Sequence, residues 1–221
     1  MAFSHSPKIV TDGLVFCIDA ADKNSYPGSG TTWTDLSSEG NNGTLTNSPS
    51  FTTDKGGAIN FDGSDDYVDC GADVHDFSSG DFTISAWVYH DREVSHAGIV
   101  GVRDGTGTEV QLYISNTTYK LRSWNGSTNV EATNVVPENT WTYVSLVQSS
   151  GNKKFYINGV LDNTVTQANG SATSATFKIG FTGHGSEYFK GKIVCIRLYG
   201  KELSQNEIKQ NFNAQRARFG V

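Results

Sequence analysis

Four aspartates, Asp62, Asp65, Asp66 and Asp69, fall within eight residues of this chain. Carboxylates at that density repel unless water or a cation neutralises them. Calcium does so with six to eight oxygen ligands drawn from carboxylates, amides and backbone carbonyls. Asp62, Asp65 and Asp66 are candidate calcium ligands, with Asp35 and Asn41 (or Asn42) adding oxygens from another loop. Asp69 can also simply alternate outward from a strand. The competing reading is a polar turn whose aspartates cap backbone amides.

A second group is aromatic. Trp124 ends a strand-like run beside Asn125-Gly126-Ser127, with Tyr113, Tyr119 and Arg122 nearby in sequence. An aromatic platform flanked by amides and a charged group suits a polyhydroxylated ligand, because a few convergent polar groups fix its orientation. Tyr113, Tyr119, Arg122, Trp124 and Asn125 therefore form the candidate glycan site. Packing of Trp124 against its hairpin partner is the alternative. Trp87 and Trp141 lie inside apolar runs and read as core, and Trp33 as a pin for its loop.

Catalytic patterns are scarce. Retaining glycoside hydrolysis needs two carboxyls about 5–5.5 Å apart, which one strand delivers from alternate positions. No Glu-x-Asp-x-x-Glu occurs, and Glu109, Glu131 and Glu138 stand alone. Gly30-Thr31-Thr32-Trp33 matches the end of a sialidase Asp box, but Tyr26 and Gly28 occupy its Ser and Asp positions. The histidines, among them His5, His75 and His96, lack metal spacing, and no phosphate-binding glycine loop ends in Lys-Ser/Thr. Cys17, Cys70 and Cys195 show no CxxC pairing and read as small buried thiols. A Cys17–Cys195 bridge between terminal strands is the alternative. The expectation is a protein that is not an enzyme.

The elements that position these residues are strands. Phe82 to Tyr89 alternates with period two, placing Phe82, Ile84, Ala86 and Val88 on one face and Trp87 on the other. Gly13–Asp19, Ala58–Phe61, Tyr67–Cys70, Glu109–Ser115, Lys120–Trp124, Trp141–Gln148, Lys153–Asn158, Val160–Asp162, Ala175–Phe181 and Lys192–Tyr199 read likewise. Asn158-Gly159 marks a tight hairpin. Such spacing predicts a two-sheet sandwich or barrel. Ser204 and Glu207 form a capping box, with Leu203 and Ile208 as its hydrophobic staple. Helix is predicted over 204–214, Ser204 being the cap, with an N-terminal arm over 1–12 and a tail over 215–221.

The 221 residues form a single domain on this reading, since all-β sandwiches reach that length. Only 36% of residues are hydrophobic, which fits strands with one solvated face. A net charge of −6 without basic runs excludes a nucleic-acid footprint. No stretch reaches the ~20 apolar residues of a membrane span, and no signal peptide is legible at the N-terminus.

Five segments together resemble the laminin G-like (LamG-type) branch of the concanavalin A-like lectin/glucanase superfamily. They are Gly13–Asp22 continuing through Ser25–Ser37 to Gly40–Leu45, then Ile59–Val68 around Asp62-Gly63-Ser64-Asp65-Asp66, then Phe82–Tyr89. Trp141–Val144 leading to Phe155–Gly159 is the fourth, and Phe189–Ile193 through Arg197–Tyr199 to Leu203–Ile208 the fifth. The resemblance implies an all-β, concanavalin A-like jelly-roll sandwich of two antiparallel sheets with a short C-terminal helix. It also raises the expectation of calcium and of carbohydrate binding. The family's last strand commonly carries an acidic pair where this chain has Val194 and Cys195, so no role of that pair transfers. The ending Gln210–Gln215 to Arg218-Phe219-Gly220 is similar to LamG-type proteins of tailed bacteriophages. That similarity implies a virion component, such as a fibre, tail appendage or capsid decoration, made in the host cytoplasm. Its partners would be a cell-surface glycan or neighbouring virion proteins, and a homo-oligomer of unspecified order is expected.

Overall fold

A computed structural model describes residues 7–78, 80–91, 95–103, 108–170 and 175–221. His5 and the first half of the N-terminal arm lie outside them. In chain order the strands are β1 (Leu14–Asp19), β2 (Thr32–Trp33), β3 (Gly43–Thr46), β4 (Ser50–Thr52), β5 (Ala58–Asp62) and β6 (Tyr67–Ala72). They continue with β7 (Phe82–His90), β8 (Ala97–Arg103), β9 (Thr108–Ile114), β10 (Lys120–Trp124) and β11 (Asn129–Val135). The series closes with β12 (Thr142–Ser149), β13 (Asn152–Ile157), β14 (Val160–Thr166), β15 (Thr176–Ile179) and β16 (Lys190–Tyr199), before helix α1 (Gln205–Phe219).

Two antiparallel sheets result. The first runs β14-β13-β12-β7-β16-β5-β4, with β1 also paired to β16, and the second runs β11-β10-β9-β8-β15-β6-β3-β2. The period-two pattern explains their contact. Phe82, Ile84, Ala86 and Val88 of β7, and Val144 and Leu146 of β12, meet Val110, Leu112, Leu121 and Phe177 of the second sheet in one continuous core. Facing sheets interdigitate in this way about 10 Å apart. Asn158 (φ 50°) and Gly159 (φ 76°) make the two-residue turn between β13 and β14. A Cβ at Gly159 would stand 3.0 Å from Phe212 of α1, so the glycine also admits the helix.

The outer face of the first sheet forms a second core. Trp87, Tyr143, Val147, Cys195 and Tyr199 lie there beneath Ile208, Phe212 and Phe219 of α1. Trp87 stacks on Phe219 at 3.8 Å between centroids with 10° between planes. Buried Arg197 donates to Gln215 Oε1 (2.9 Å), and Asp19 accepts from Arg218 (3.2 Å). These contacts correct the helix end. The chain stays helical through 215–219, with no separate tail, because Gln215, Arg218 and Phe219 continue the docked face. Gly220, left-handed at φ 78°, caps it. The capping box forms as expected, Ser204 accepting from the Glu207 amide and Glu207 reaching back to the Ser204 amide.

All three cysteines are buried free thiols, so Cys17 and Cys195 are not bridged. No helix among the described residues is long and apolar enough to cross a membrane.

Candidate functional site on the outer face of the second sheet

Alternation along β10 sends Leu121 and Ser123 inward and leaves Lys120, Arg122 and Trp124 half-exposed on the outer face. At about 3.3 Å per residue these three span roughly 13 Å. The register continues the row sideways. Arg122 pairs with Tyr113 of β9 and Glu131 of β11, while Trp124 pairs with Gln111 and Asn129. Glu131 accepts from Arg122 Nε at 2.7 Å and from Lys120 Nζ at 3.2 Å. Burial raises the Glu131 carboxyl, but the hydrogen bonds from Arg122 and Lys120 outweigh it and leave it below its ordinary range. The result is a fixed row of donors and acceptors running away from the Trp124 indole.

Three other sequence candidates sit differently. Tyr113 is buried, its hydroxyl donating to Asn129 Oδ1 (2.6 Å) and its ring 4.9 Å from that of His96. Burial pushes its hydroxyl up, against the pull of Arg122. Tyr113 therefore forms the floor beside Arg122. Asn125 closes its own loop, accepting from the Ser127 and Thr128 amides and donating to the Ala168 carbonyl (3.1 Å). Tyr119 lies beyond the opposite end of β10 from Trp124, in a left-handed turn (φ 56°). There it lines a cleft of about 270 Å³ with His90, Val135, Val136, Pro137 and Glu138.

A ridge crosses the same face. Gly98 and Gly101 of β8 have no side chain, and a Cβ on Gly101 would lie 2.3 Å from the Thr182 carbonyl. The 181–188 loop rests in that gap, tied down by Gln111 Nε2 to Thr182 O (3.0 Å) and Thr182 Oγ1 to Glu187 (2.5 Å). The two ends of the ridge carry a group that sequence reasoning misses. Phe181 stacks on Tyr188 (4.2 Å, 9°), Tyr67 approaches Phe181 at 6.0 Å, and Lys178 sits 5.2 Å above Tyr67. Glu131 and Lys120 are also absent from the sequence-derived site. A signal for Lys120 exists, since it alternates with Arg122 and Trp124.

The acidic turn joins β5 to β6. Carboxylate oxygens of Asp62, Asp65 and Asp66 lie within 4.8 Å of one another. Two oxygens on one calcium, each at 2.3–2.6 Å, stand at most about 5 Å apart, so these three fit a shared hard cation. Hydrogen bonds from the Ser64 and neighbouring amides hold Asp62 below its ordinary range. Asp66, buried beside it, is raised by desolvation and by repulsion from Asp62 and Asp65. Asp35 and Asn41 are not brought to this group. They lie at the Gly43 end of β3, whereas Asn47, past the other end, donates to the Asp65 carbonyl. The Asp35 carboxylate already accepts from the Cys17, Ser37 and Asn41 amides and from Ser37 Oγ, all within 3.0 Å. It fastens its own loop, while at the acidic turn Asp62 accepts from the Ser64 amide (2.8 Å) and Asp66 from the Asp62 amide (3.1 Å).

Comparison with known proteins agrees with this architecture. Residues 62–209 match the Laminin_G_3 family model, described as the concanavalin A-like lectin/glucanases superfamily. Domain 4 of an extracellular GH43 arabinanase from Geobacillus stearothermophilus, solved with arabinotriose, is similar at 20% identity and TM-score 0.70. The match covers 90% of this chain and 97% of that one. Trypanosoma rangeli sialidase, solved with the inhibitor DANA, gives 16% identity and TM-score 0.73 over 97% of this chain but only 36% of its own length. The binding domain of Paraclostridial Mosquitocidal Protein 1 gives 15% identity and TM-score 0.72, covering 91% of this chain and 52% of that one. No curated protein sequence matches. The family match covers most of the chain: this protein belongs to the Laminin_G_3 family of the concanavalin A-like lectin/glucanases superfamily.

Proposed function

We propose that this chain is a non-catalytic glycan-binding module whose site is the Trp124–Arg122–Lys120 row with Glu131. The observation that carries the proposal is that row: a half-exposed indole in line with a fixed cation–carboxylate pair, on the sheet face that the helix does not cover. An indole face packs against the apolar side of a sugar ring, and the charged groups bind its hydroxyls. The arabinanase domain solved with arabinotriose supports the substrate class. The non-catalytic reading is supported by the acids of this face. Glu131 is held by Arg122 and Lys120, and Glu187 by Thr182.

Calcium at Asp62, Asp65 and Asp66 is part of the proposal. The ion would neutralise three crowded carboxylates and stiffen the β5–β6 turn. The phage-like form of the sequence supports a place on a virion, where many copies convert weak binding into avidity. Packing on neighbouring virion proteins, without glycan affinity, is the rival role.

The test is a multivalent glycan array probed with calcium and then with chelator. Reproducible binding that Trp124→Ala abolishes is the expected result, and loss on chelation assigns calcium a part in it. A blank multivalent array contradicts glycan binding and favours the packing role. Turnover of any bound glycan contradicts the non-catalytic reading.

A further inference from the structure

The Lys120 end of the row is held by a titratable ring. Lys120, which donates to Glu131, opens β10 directly after the turn that joins it to β9. Thr118 in that turn also donates its hydroxyl to Glu131 Oε2 (3.2 Å). Three amides of the turn are satisfied from within. Thr117 and Thr118 donate to Ser115 Oγ (both 3.3 Å), and Tyr119 to the Ser115 carbonyl (2.9 Å). The Asn116 amide instead donates out of the turn, to His96 Nδ1 at 3.1 Å. His96 precedes Ala97, which is buried in the core, and its ring packs on Tyr113 of the outer face (4.9 Å between centroids, 39° between planes).

That bond fixes the state of the ring. A ring nitrogen that accepts a hydrogen bond carries no proton, so neutral His96 holds its proton on Nε2. The doubly protonated ring has a donor at both nitrogens. Protonation therefore turns Nδ1 from an acceptor into a donor facing the Asn116 N–H, and the bond is lost. Burial disfavours the charged ring most, Glu187 of the ridge favours it, and Arg122 of β10 disfavours it. Tyr113 of β9 faces the ring with a hydroxyl that burial pushes up, so it stays neutral. The balance lowers His96 from its ordinary 6.5, so the bond is intact at neutral pH and breaks on acidification. Glu131, held below its ordinary range, remains ionised while His96 titrates.

Resting on the glycan-binding reading above, we infer that His96 is a positioning residue of the site and makes glycan release acid-dependent. Its Nδ1 lone pair holds the Asn116–Tyr119 turn, and the turn sets Thr118 and Lys120 against Glu131. Protonation of the ring frees the turn, and the row loses the geometry that binds the sugar.

The experiment has two readouts. In the free protein, NMR follows the Asn116 amide proton and the His96 ring between about pH 7.5 and about pH 5, a range centred near the ordinary histidine value. The Asn116 resonance should move with the ring titration, at a midpoint below 6.5. The multivalent glycan array is then read at both ends of that range. Wild-type binding should fall about tenfold at the acid end, the scale of one lost hydrogen bond. His96→Asn, whose Oδ1 accepts in place of Nδ1 without titrating, should bind equally at both ends. His96→Ala, which leaves the amide without its acceptor, should bind weakly at both. An Asn116 resonance that ignores the ring titration overturns the assignment. So does wild-type binding equal at the two pH values, or an acid loss that His96→Asn retains. Each of these leaves the Trp124 row standing, whereas a blank array at both pH values overturns both readings.

Discussion

The outer faces of the two sheets are both rich in aromatic side chains, yet they meet different neighbours. On the first sheet Trp87, Tyr143 and Tyr199 lie under α1, with Phe212 and Phe219 closing over them. On the second, Trp124 stands half in water in line with Arg122 and Lys120, and Tyr67, Phe181 and Tyr188 cluster at the ends of the ridge, also half-exposed. The same residue types thus serve stability on one face and remain open to a ligand on the other. Whether an element returns to cover the face decides between the two. The capping box at Ser204 and the left-handed Gly220 fix where that covering helix starts and stops.

The contrast can be broken most forcefully from the covered side. Trp87→Ala removes the ring stacked on Phe219 and should cost about 3–5 kcal/mol in stability. Chemical denaturation would measure this, and glycan affinity of the folded fraction should be unchanged. A smaller effect concerns Lys153, buried between the sheets with Nζ 3.0 Å from Ser123 Oγ. Burial pushes its amine down to about 7 from an ordinary 10.5. The unfolded chain then binds the extra proton above pH 7, so this group makes stability rise with pH, by up to about 1.4 kcal/mol per unit. The effect should be visible between pH 7 and 8.5. Nearer pH 9 and above, the buried thiols, raised by desolvation, act with opposite sign. Lys153→Met should flatten the slope, and a slope unchanged in that variant would contradict the assignment. The smallest stability effect belongs to the open face. Arg122→Ala breaks a part-exposed ion pair worth about 0–1 kcal/mol and should change the denaturation midpoint little. It should still weaken glycan binding about tenfold, read by titration.

Much of the covered face is legible in the sequence because its signals are local. Alternation in Phe82 to Tyr89 and the Ser204–Glu207 spacing each specify an element without knowledge of the rest. The helix end is not legible, since Phe219 continues the helix by meeting Trp87, a residue 132 positions away in sequence (219 minus 87). The open face is harder for two reasons. β11 (Asn129–Val135) is a polar edge strand, and only Val130 and Ala132 carry its apolar rhythm. β8 contains Gly98 and Gly101, which suggest a loop by composition, whereas the glycines are there so that the 181–188 ridge can rest on the strand. Trp124 and Arg122 are legible because they share one short strand. Asp35 misleads as a metal ligand because residue type does not show which end of β3 a loop occupies, or that four donors already fill its carboxylate.

The most direct test follows the indole N–H resonances of Trp33, Trp87, Trp124 and Trp141 by NMR during titration with the glycan that binds best on the array. Trp33, Trp87 and Trp141 are buried in the two cores, and Trp124 alone of the four is half-exposed. If the row is the binding site, the Trp124 resonance shifts with saturation while the other three stay in place. A bound glycan that leaves Trp124 unmoved would contradict it.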